Sequence, residues 1–230
     1  IDKTEIEKFS KLAEDWWNPN GKFKPLHQLN PARIEFIKNK LISYYKIKSK
    51  NQRPLKDLKI LDIGCGGGLL CEPLYRLGAT VTGIDPSENN IKIAKLHSEE
   101  MGLKINYLCC PPERLNFDEE FDIILNMEVV EHVPDITQLL HQCADKLKPG
   151  GWLFVATINR TLASFITAII GAEYIFRMLP IGTHDWHQFV KPGEIVKPLN
   201  NFELVEQTGV SVNPIGPKFK LTQYMGINYM

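Results

Sequence analysis

Ile60-Leu61-Asp62-Ile63-Gly64-Cys65-Gly66-Gly67-Gly68 is the stretch that decides the fold of this 230-residue chain. An apolar run suited to a buried strand passes straight into a glycine-rich turn, and Leu69 to Leu77 behind it reads as a helix. Glycines at such a junction let the backbone approach a ligand that a Cβ would hold off. Three ligand classes use the arrangement. A phosphate-binding P-loop needs Gly-Lys-Ser/Thr at its end, which is missing here. A dinucleotide fingerprint of the form G-x-G-x-x-G fails on its last glycine, because that position, counted from Gly64, falls on Leu69. The third pattern is an acid followed by alternating glycines, present as Asp62, Gly64, Gly66 and Gly68.

Outward from the loop, strands and helices alternate. Ala79 to Ile84 is a β-rich run ending at Asp85, and Asn89 to Met101 reads as a helix. Ile105 to Leu108 and Phe121 to Leu125 read as strands. Ile136 to Leu147 reads as a helix stopped by Lys148-Pro149-Gly150-Gly151, and Trp152 to Thr157 as another strand. Alternation on this scale predicts an α/β fold, a doubly wound and mostly parallel sheet with its ligand site beyond the carboxyl ends of the strands. The length suits a single domain over 1–230. Residues 1–50 form its N-terminal helical cap. Thr4 and Glu7 make a capping box ahead of Ile6, Phe9, Leu12, Ala13 and Trp16 at helical spacing. A second helix starts at Asn30-Pro31, read as N-cap and first helical position. The polar, lysine-rich stretch from Lys46 to Lys59 reads as a connector.

Lys plus Arg equals Asp plus Glu at 27 each, so nothing in the charge balance suggests a nucleic-acid partner. The five cysteines show no CxxC spacing, which argues against a disulfide framework and a structural zinc site.

The acid and alternating glycines resemble the loop of class I S-adenosylmethionine (SAM)-dependent methyltransferases, a Rossmann-like family. Asp85, at the end of the second strand, is placed to accept hydrogen bonds from ribose hydroxyls, as it would be in a nicotinamide enzyme too. Leu147-Lys148-Pro149-Gly150-Gly151 resembles the turn those methyltransferases place before their fifth strand. After the fourth strand comes Asn126-Met127-Glu128-Val129-Val130-Glu131-His132-Val133. On a helix, Glu128, Glu131 and His132 would share a face and could bind a divalent cation. Three other readings stay open: acids favouring a helix dipole, His132 as a general base, or a turn cut short by Pro134.

The resemblance then narrows to the ubiquinone-biosynthesis O-methyltransferases, which methylate hydroxyls of a polyprenylated quinone precursor. It is carried by Phe9-Ser10-Lys11-Leu12-Ala13, Trp16-Trp17, Phe23-Lys24-Pro25-Leu26-His27, Asn30-Pro31-Ala32-Arg33 and the glycine loop. Met127-Glu128-Val129-Val130-Glu131-His132-Val133, Thr157-Ile158-Asn159-Arg160, Gly182-Thr183-His184-Asp185 and Asn228-Tyr229-Met230 continue it along the chain. It implies SAM contacts from Arg33, Gly64, Asp85 and Met127, joining Asp62 and Gly66 of the loop, with Arg33 on the carboxylate of the methionyl moiety. It implies magnesium held by Glu128, Glu131 and His132. Cys109-Cys110-Pro111-Pro112 departs from the small or acidic residue that methyltransferases usually place near the adenine.

Within an insertion over 161–191, Leu162 to Leu179 is mostly apolar, and only Glu173 and Arg177 in it are charged. It reads as a lid, or, given the lipid-soluble substrate that the resemblance implies, as a surface that dips into a membrane. The expected reaction is methyl transfer to a phenol or catechol hydroxyl of 2-polyprenyl-6-hydroxyphenol or 3-demethylubiquinol type. His184 and His187 are second-choice bases, and His97 and His141 read as surface or helix-face histidines. The expected partners are the polyprenylated substrate, a membrane surface and other ubiquinone-biosynthesis proteins. The expected location is the cytoplasmic face of a bacterial inner membrane or the matrix face of the mitochondrial one. Other readings are a C- or N-methyltransferase, a non-catalytic membrane-associated scaffold of the same fold, and a nicotinamide oxidoreductase.

Overall fold

The structure is a computed structural model that describes residues 12–48, 52–114, 118–165, 186–212 and 219–230. The chain gathers into two compact units, 1–125 with 146–153, and 126–145 with 154–230. The capping box at Thr4 and Glu7, most of the apolar stretch from Leu162 to Leu179, and His184 lie outside the described residues.

In the first unit, residues 12–17 are helical. Helix α1 (Lys24–Tyr44) follows. Strand β1 (Lys59–Ile63), helix α2 (Cys71–Arg76), strand β2 (Thr80–Asp85), helix α3 (Glu88–Glu100) and strand β3 (Asn106–Cys109) then alternate as expected. β2 pairs parallel with β1, register Leu61 to Thr82, and with β3, register Ile84 to Leu108. β4 (Phe121–Met127) and β5 (Leu147–Ile158) complete the parallel-type strands, and β8 (Asn228–Tyr229) closes one edge antiparallel to β5. The strand order is β3-β2-β1-β4-β5-β8, so it reverses at β1, the strand that feeds the glycine loop. Ligands of open α/β sheets bind beyond the carboxyl ends of the strands where the order reverses. The doubly wound, mostly parallel sheet is therefore as the sequence predicts.

Three boundaries differ. α1 begins at Lys24 with Phe23 at its N-cap, not at Asn30, so Asn30 and Pro31 lie inside the helix. Pro31 removes the bond to the His27 carbonyl and costs about 3 kcal/mol. Phe36, Ile37 and Leu41 are buried along the same helix, at about 1.5–3 kcal/mol each, and that packing carries the helix through the proline. Pro25 at the first turn marks the true start. The second difference is β5, which begins at Leu147 instead of Trp152: the amide of Phe121 bonds the Lys146 carbonyl (2.8 Å), and Gly150, at φ 77°, is taken into the strand. Asp122 secures this corner by accepting from the Lys59 amide and pairing with Lys148, both at 2.8 Å. The third is a hairpin in the second unit, β6 (Gly209–Val212) with β7 (Phe219–Thr222), which no periodicity announced.

That unit also holds helix α4 (Ile136–Asp145), the short turns α5 (Leu162–Ser164) and α6 (Pro192–Val196), and the ends of β4 and β5. Among the described residues, no helix is long and apolar enough to cross a membrane.

The ring of Tyr107, 1% exposed, packs under the glycine loop: a Cβ on Gly68 would fall onto its hydroxyl oxygen, and Gly68 sits at φ +89°. Gly102, at φ +67°, has nothing within 4 Å of a built Cβ. Gly68→Ala is expected to lower the unfolding free energy in urea by about 2 kcal/mol or more, against about 1 kcal/mol for Gly102→Ala, where only backbone strain acts. Equal losses at the two positions would contradict this packing.

Candidate functional site

The glycine loop is held by hydrogen bonds at each of its steps. The Cys65 amide donates to the Ile84 carbonyl (2.9 Å), extending the β1–β2 ladder into the loop. Gly68 turns back onto the Cys65 carbonyl (3.0 Å), and α2 starts as the Glu72 amide bonds the Gly68 carbonyl (3.1 Å). Gly64 and Gly66, at φ 71° and 53°, adopt the left-handed backbone that glycine tolerates best. Asp85, at the end of β2, accepts from the Gly66 amide (3.0 Å), the Ser87 amide (2.9 Å) and Asn90 Nδ2 (3.0 Å). Its carboxylate thus joins the loop to the start of α3; Oδ1 accepts two of these bonds, and Oδ2, which accepts one, retains acceptor capacity for a ligand hydroxyl.

Asp62 is 2% exposed, and the Cys71 thiol donates to it (3.2 Å). Burial pushes its carboxyl up to about 7; the Asp85 charge adds to this, while the Cys71 bond and the Arg33 guanidinium oppose it. Arg33, 4% exposed on α1, is thereby brought to the glycine-loop corner. Arg33, Asp62, Gly64, Gly66 and Asp85, the residues that the sequence reading assigns to the cofactor, all lie in the first unit. Cys109 and Cys110 follow at the end of β3, where the Cys110 amide donates to the Asp85 carbonyl (3.1 Å).

Sequence reasoning missed the aromatic cover of this loop. A Cβ on Gly66 or Gly67 would lie 2.7 or 2.8 Å from the Trp16 indole, which stacks on Phe23 at 3.8 Å. Trp17 Nε1 donates to the Gly67 carbonyl (3.2 Å), and its ring stacks on His97 at 3.8 Å and 5°. His97 Nδ1 lies 2.6 Å from Glu72 Oε1, on a side chain 2% exposed. Of the two readings of His97, surface or helix-face, the second holds: it lies half-buried on the face of α3 against Trp17 and Glu72. Its partners lie far off in the chain, and no local pattern signals them.

The second unit carries the other candidates. β4 ends at Met127, 7% exposed, and the backbone then bends sharply: Glu128 takes φ 58° while its amide bonds the Ala156 carbonyl (2.8 Å). Val130–His132 is a single 3₁₀ turn, not an α-helix. Val133 is extended, as the residue before Pro134 is biased to be, so the shared helical face expected for Glu128, Glu131 and His132 does not form. Glu128 and Glu131 nevertheless come within hydrogen-bonding reach of each other. Burial, and then the Glu128 charge, push the Glu131 carboxyl up to about 8, and Thr157 Oγ1 donates to it (2.9 Å). His132 is not gathered with them: among the described residues no group of three metal-capable side chains forms. His132, Glu131, Arg160, His187 and Glu194 line a cleft of about 480 Å³ in this unit, with Arg160 paired to Glu194. His141 instead bonds the Pro198 carbonyl (3.1 Å).

A family model described as a methyltransferase domain matches residues 61–155. A ubiquinone biosynthesis O-methyltransferase of Pelagibacter ubique is 52% identical over 232 residues, spanning 100% of this chain and 96% of its own length. A protein of the same name in Chelativorans sp. is 50% identical, spanning 100% and 92%. Among solved structures, the magnesium protoporphyrin IX methyltransferase of Synechocystis PCC 6803 with bound S-adenosylhomocysteine (SAH) superposes with a TM-score of 0.63 at 18% identity, covering 99% of each chain. The plantazolicin methyltransferase BpumL, also with SAH, gives 0.56 at 23% identity, covering 86% of this chain and 76% of its own. These structural likenesses establish the class I methyltransferase fold.

The raised Asp62 carboxyl has a consequence for stability. The folded chain keeps a proton that the unfolded chain releases near pH 3.8, so this contribution is full below that value and is lost as pH rises to about 7. Against Asp62→Asn, which does not titrate, the wild type is expected to lose on the order of a few kcal/mol between pH 4 and 7, read from urea unfolding at a series of pH values. A difference that stays flat with pH would contradict the burial of this carboxyl.

Proposed function

This chain belongs to the ubiquinone biosynthesis O-methyltransferase family, and on that premise we propose that it moves the methyl group of SAM onto a phenol or catechol hydroxyl of a polyprenylated ubiquinone precursor. It is a SAM-dependent methyltransferase. The reaction is an in-line displacement. The hydroxyl oxygen forms a bond to the methyl carbon as the carbon–sulfur bond breaks, SAH leaves as a neutral thioether, and the phenolic proton passes to a base or to water. The sulfonium is already a good leaving group, so the protein's main task is to position the two reactants and dispose of the proton.

Two features of the glycine-loop corner support cofactor binding: Asp85 fixes the loop and keeps acceptor capacity that ribose hydroxyls would use, and Arg33 is a buried cation suited to the methionyl carboxylate. Met127, at the end of β4, is a further cofactor contact that the family resemblance implies. The proton is the task of the second unit, and the observation that carries this reading is the Glu128–Glu131 pair. Two carboxylates this close do not both hold their charge without a cation or a shared proton. An all-oxygen donor pair suits magnesium and would hold it through Glu128 and Glu131; His132, the third donor that the family resemblance assigns, is not gathered with them among the described residues. Bound there, the ion would lower the pKa of the acceptor hydroxyl. Glu128 is aimed at Glu131 by its left-handed backbone, and the Thr157 hydroxyl holds the Glu131 carboxylate in place. His132 and His187 line the neighbouring cleft as proton acceptors.

We further propose that Leu162 to Leu179 meets a membrane surface and admits the polyprenyl tail, at the cytoplasmic face of a bacterial inner membrane. Its mostly apolar composition supports this, as does a substrate too apolar to leave the bilayer.

A test is methylation of a polyprenylated catechol in lipid vesicles, with magnesium or with a chelator. The wild type should turn over with magnesium and fall at least about 100-fold on chelation, and the E128Q/E131Q double variant should fall as far while still binding SAH. Turnover indifferent to both the chelator and the double variant would overturn the metal-assisted mechanism.

A further inference from the structure

Asn30 holds a buried acceptor that finds no donor among the described residues. It lies inside α1, well past the N-cap at Phe23, it is 7% exposed, and its Oδ1 has no hydrogen-bond partner among the described residues. Buried polar atoms are almost always satisfied, and an orphan in a native chain calls for a partner that arrives with a ligand. The surroundings identify that ligand's chemistry. His27, Asn30 and Arg33 succeed one another at one-turn spacing on α1. At one end His27 Nε2 meets the Trp16 carbonyl (2.8 Å) and its ring lies edge-on to Trp17, while Trp16 and Trp17 cover Gly66 and Gly67. At the other end Arg33, 4% exposed, reaches the electrostatic neighbourhood of Asp62 at the end of β1. Along α1, Asn30 therefore sits between a residue that touches the aromatic cover of the loop and one whose charge acts on Asp62.

A lone acceptor one turn from a buried guanidinium suits a ligand that presents an N–H donor and an anion on adjacent atoms. In SAM, only the methionyl end has that pair, its α-ammonium beside its α-carboxylate. We propose that Asn30 and Arg33 together read this amino-acid end, with Asn30 Oδ1 accepting from the α-ammonium while Arg33 pairs with the carboxylate. The inference rests on the reading that the glycine-loop corner takes SAM. It makes Asn30 a cofactor-binding residue, and the proline after it leaves the geometry of that turn to packing.

Calorimetric titration with two nucleosides separates this role from a structural one. SAH carries the amino-acid end; 5′-methylthioadenosine is its counterpart without it. Asn30→Ala should weaken SAH about ten- to a hundredfold and leave methylthioadenosine within twofold of wild type. Asn30→Asp, which keeps an acceptor oxygen at the same place, should restore most of the SAH affinity. Unchanged SAH binding by Asn30→Ala, or equal weakening of both nucleosides in both variants, would overturn the proposal. A wild type that binds neither nucleoside would instead sink the cofactor reading on which it rests.

Discussion

The hydrogen bond from the Gly66 amide to the Asp85 carboxylate is the constraint on which the cofactor corner depends. Gly66 needs a left-handed backbone to point its amide at β2, and Asp85 needs the register of β2 on β1 to meet it. The same carboxylate bonds the Ser87 amide and Asn90 Nδ2, and so also sets the start of α3. α3 in turn carries His97 to the Trp17 ring, whose indole N–H returns to the loop at the Gly67 carbonyl. A closed circuit therefore runs from loop to strand end, to helix, to aromatic cover and back to the loop. Charge-assisted bonds to a carboxylate are stronger than neutral ones, which is why an acid suits this junction better than an amide would.

The two ends of the proposed reaction would draw on different physics. The cofactor corner is preorganised by backbone hydrogen bonds and by the left-handed positions that the glycines occupy. The carboxylate pair is poised by burial and mutual repulsion, held by one unusual backbone angle at Glu128 and one hydroxyl at Thr157. A non-glycine residue in the left-handed region carries strain, and such strain gathers where a fold positions a working side chain. Here it replaces the helix that the spacing of Glu128, Glu131 and His132 suggested.

What the sequence made legible follows from the range of each interaction. The glycine loop, the strand and helix alternation, and the acids at Asp62 and Asp85 are local signals; the alternation forms as expected, and the two acids lie at the ends of β1 and β2 beside the loop, Asp62 bonded by Cys71 and Asp85 by Gly66. Asn30-Pro31 misled because a good N-cap pair was carried into a helix interior by the burial of Phe36, Ile37 and Leu41 beyond it. Lys148-Pro149-Gly150-Gly151 misled because turn residues joined a strand through the pairing of Phe121 with Lys146. The His97–Glu72 contact and the Thr157–Glu131 bond join residues about 25 positions apart, beyond any periodicity. Family resemblance recovered the residues of the acidic segment but not their geometry, because the motif records residue identity whereas the turn is set by Pro134 and the bend at Glu128.

The central claim is that SAM is held by the loop after β1 and the corner it forms with Asp85 and α1. Hydrogen–deuterium exchange of the full chain with and without saturating SAH tests it at the residues concerned. Slowed exchange concentrated at residues 62–68, 85–90 and 30–34 is the result this account predicts. Saturation by SAH with no change in those three segments would contradict it.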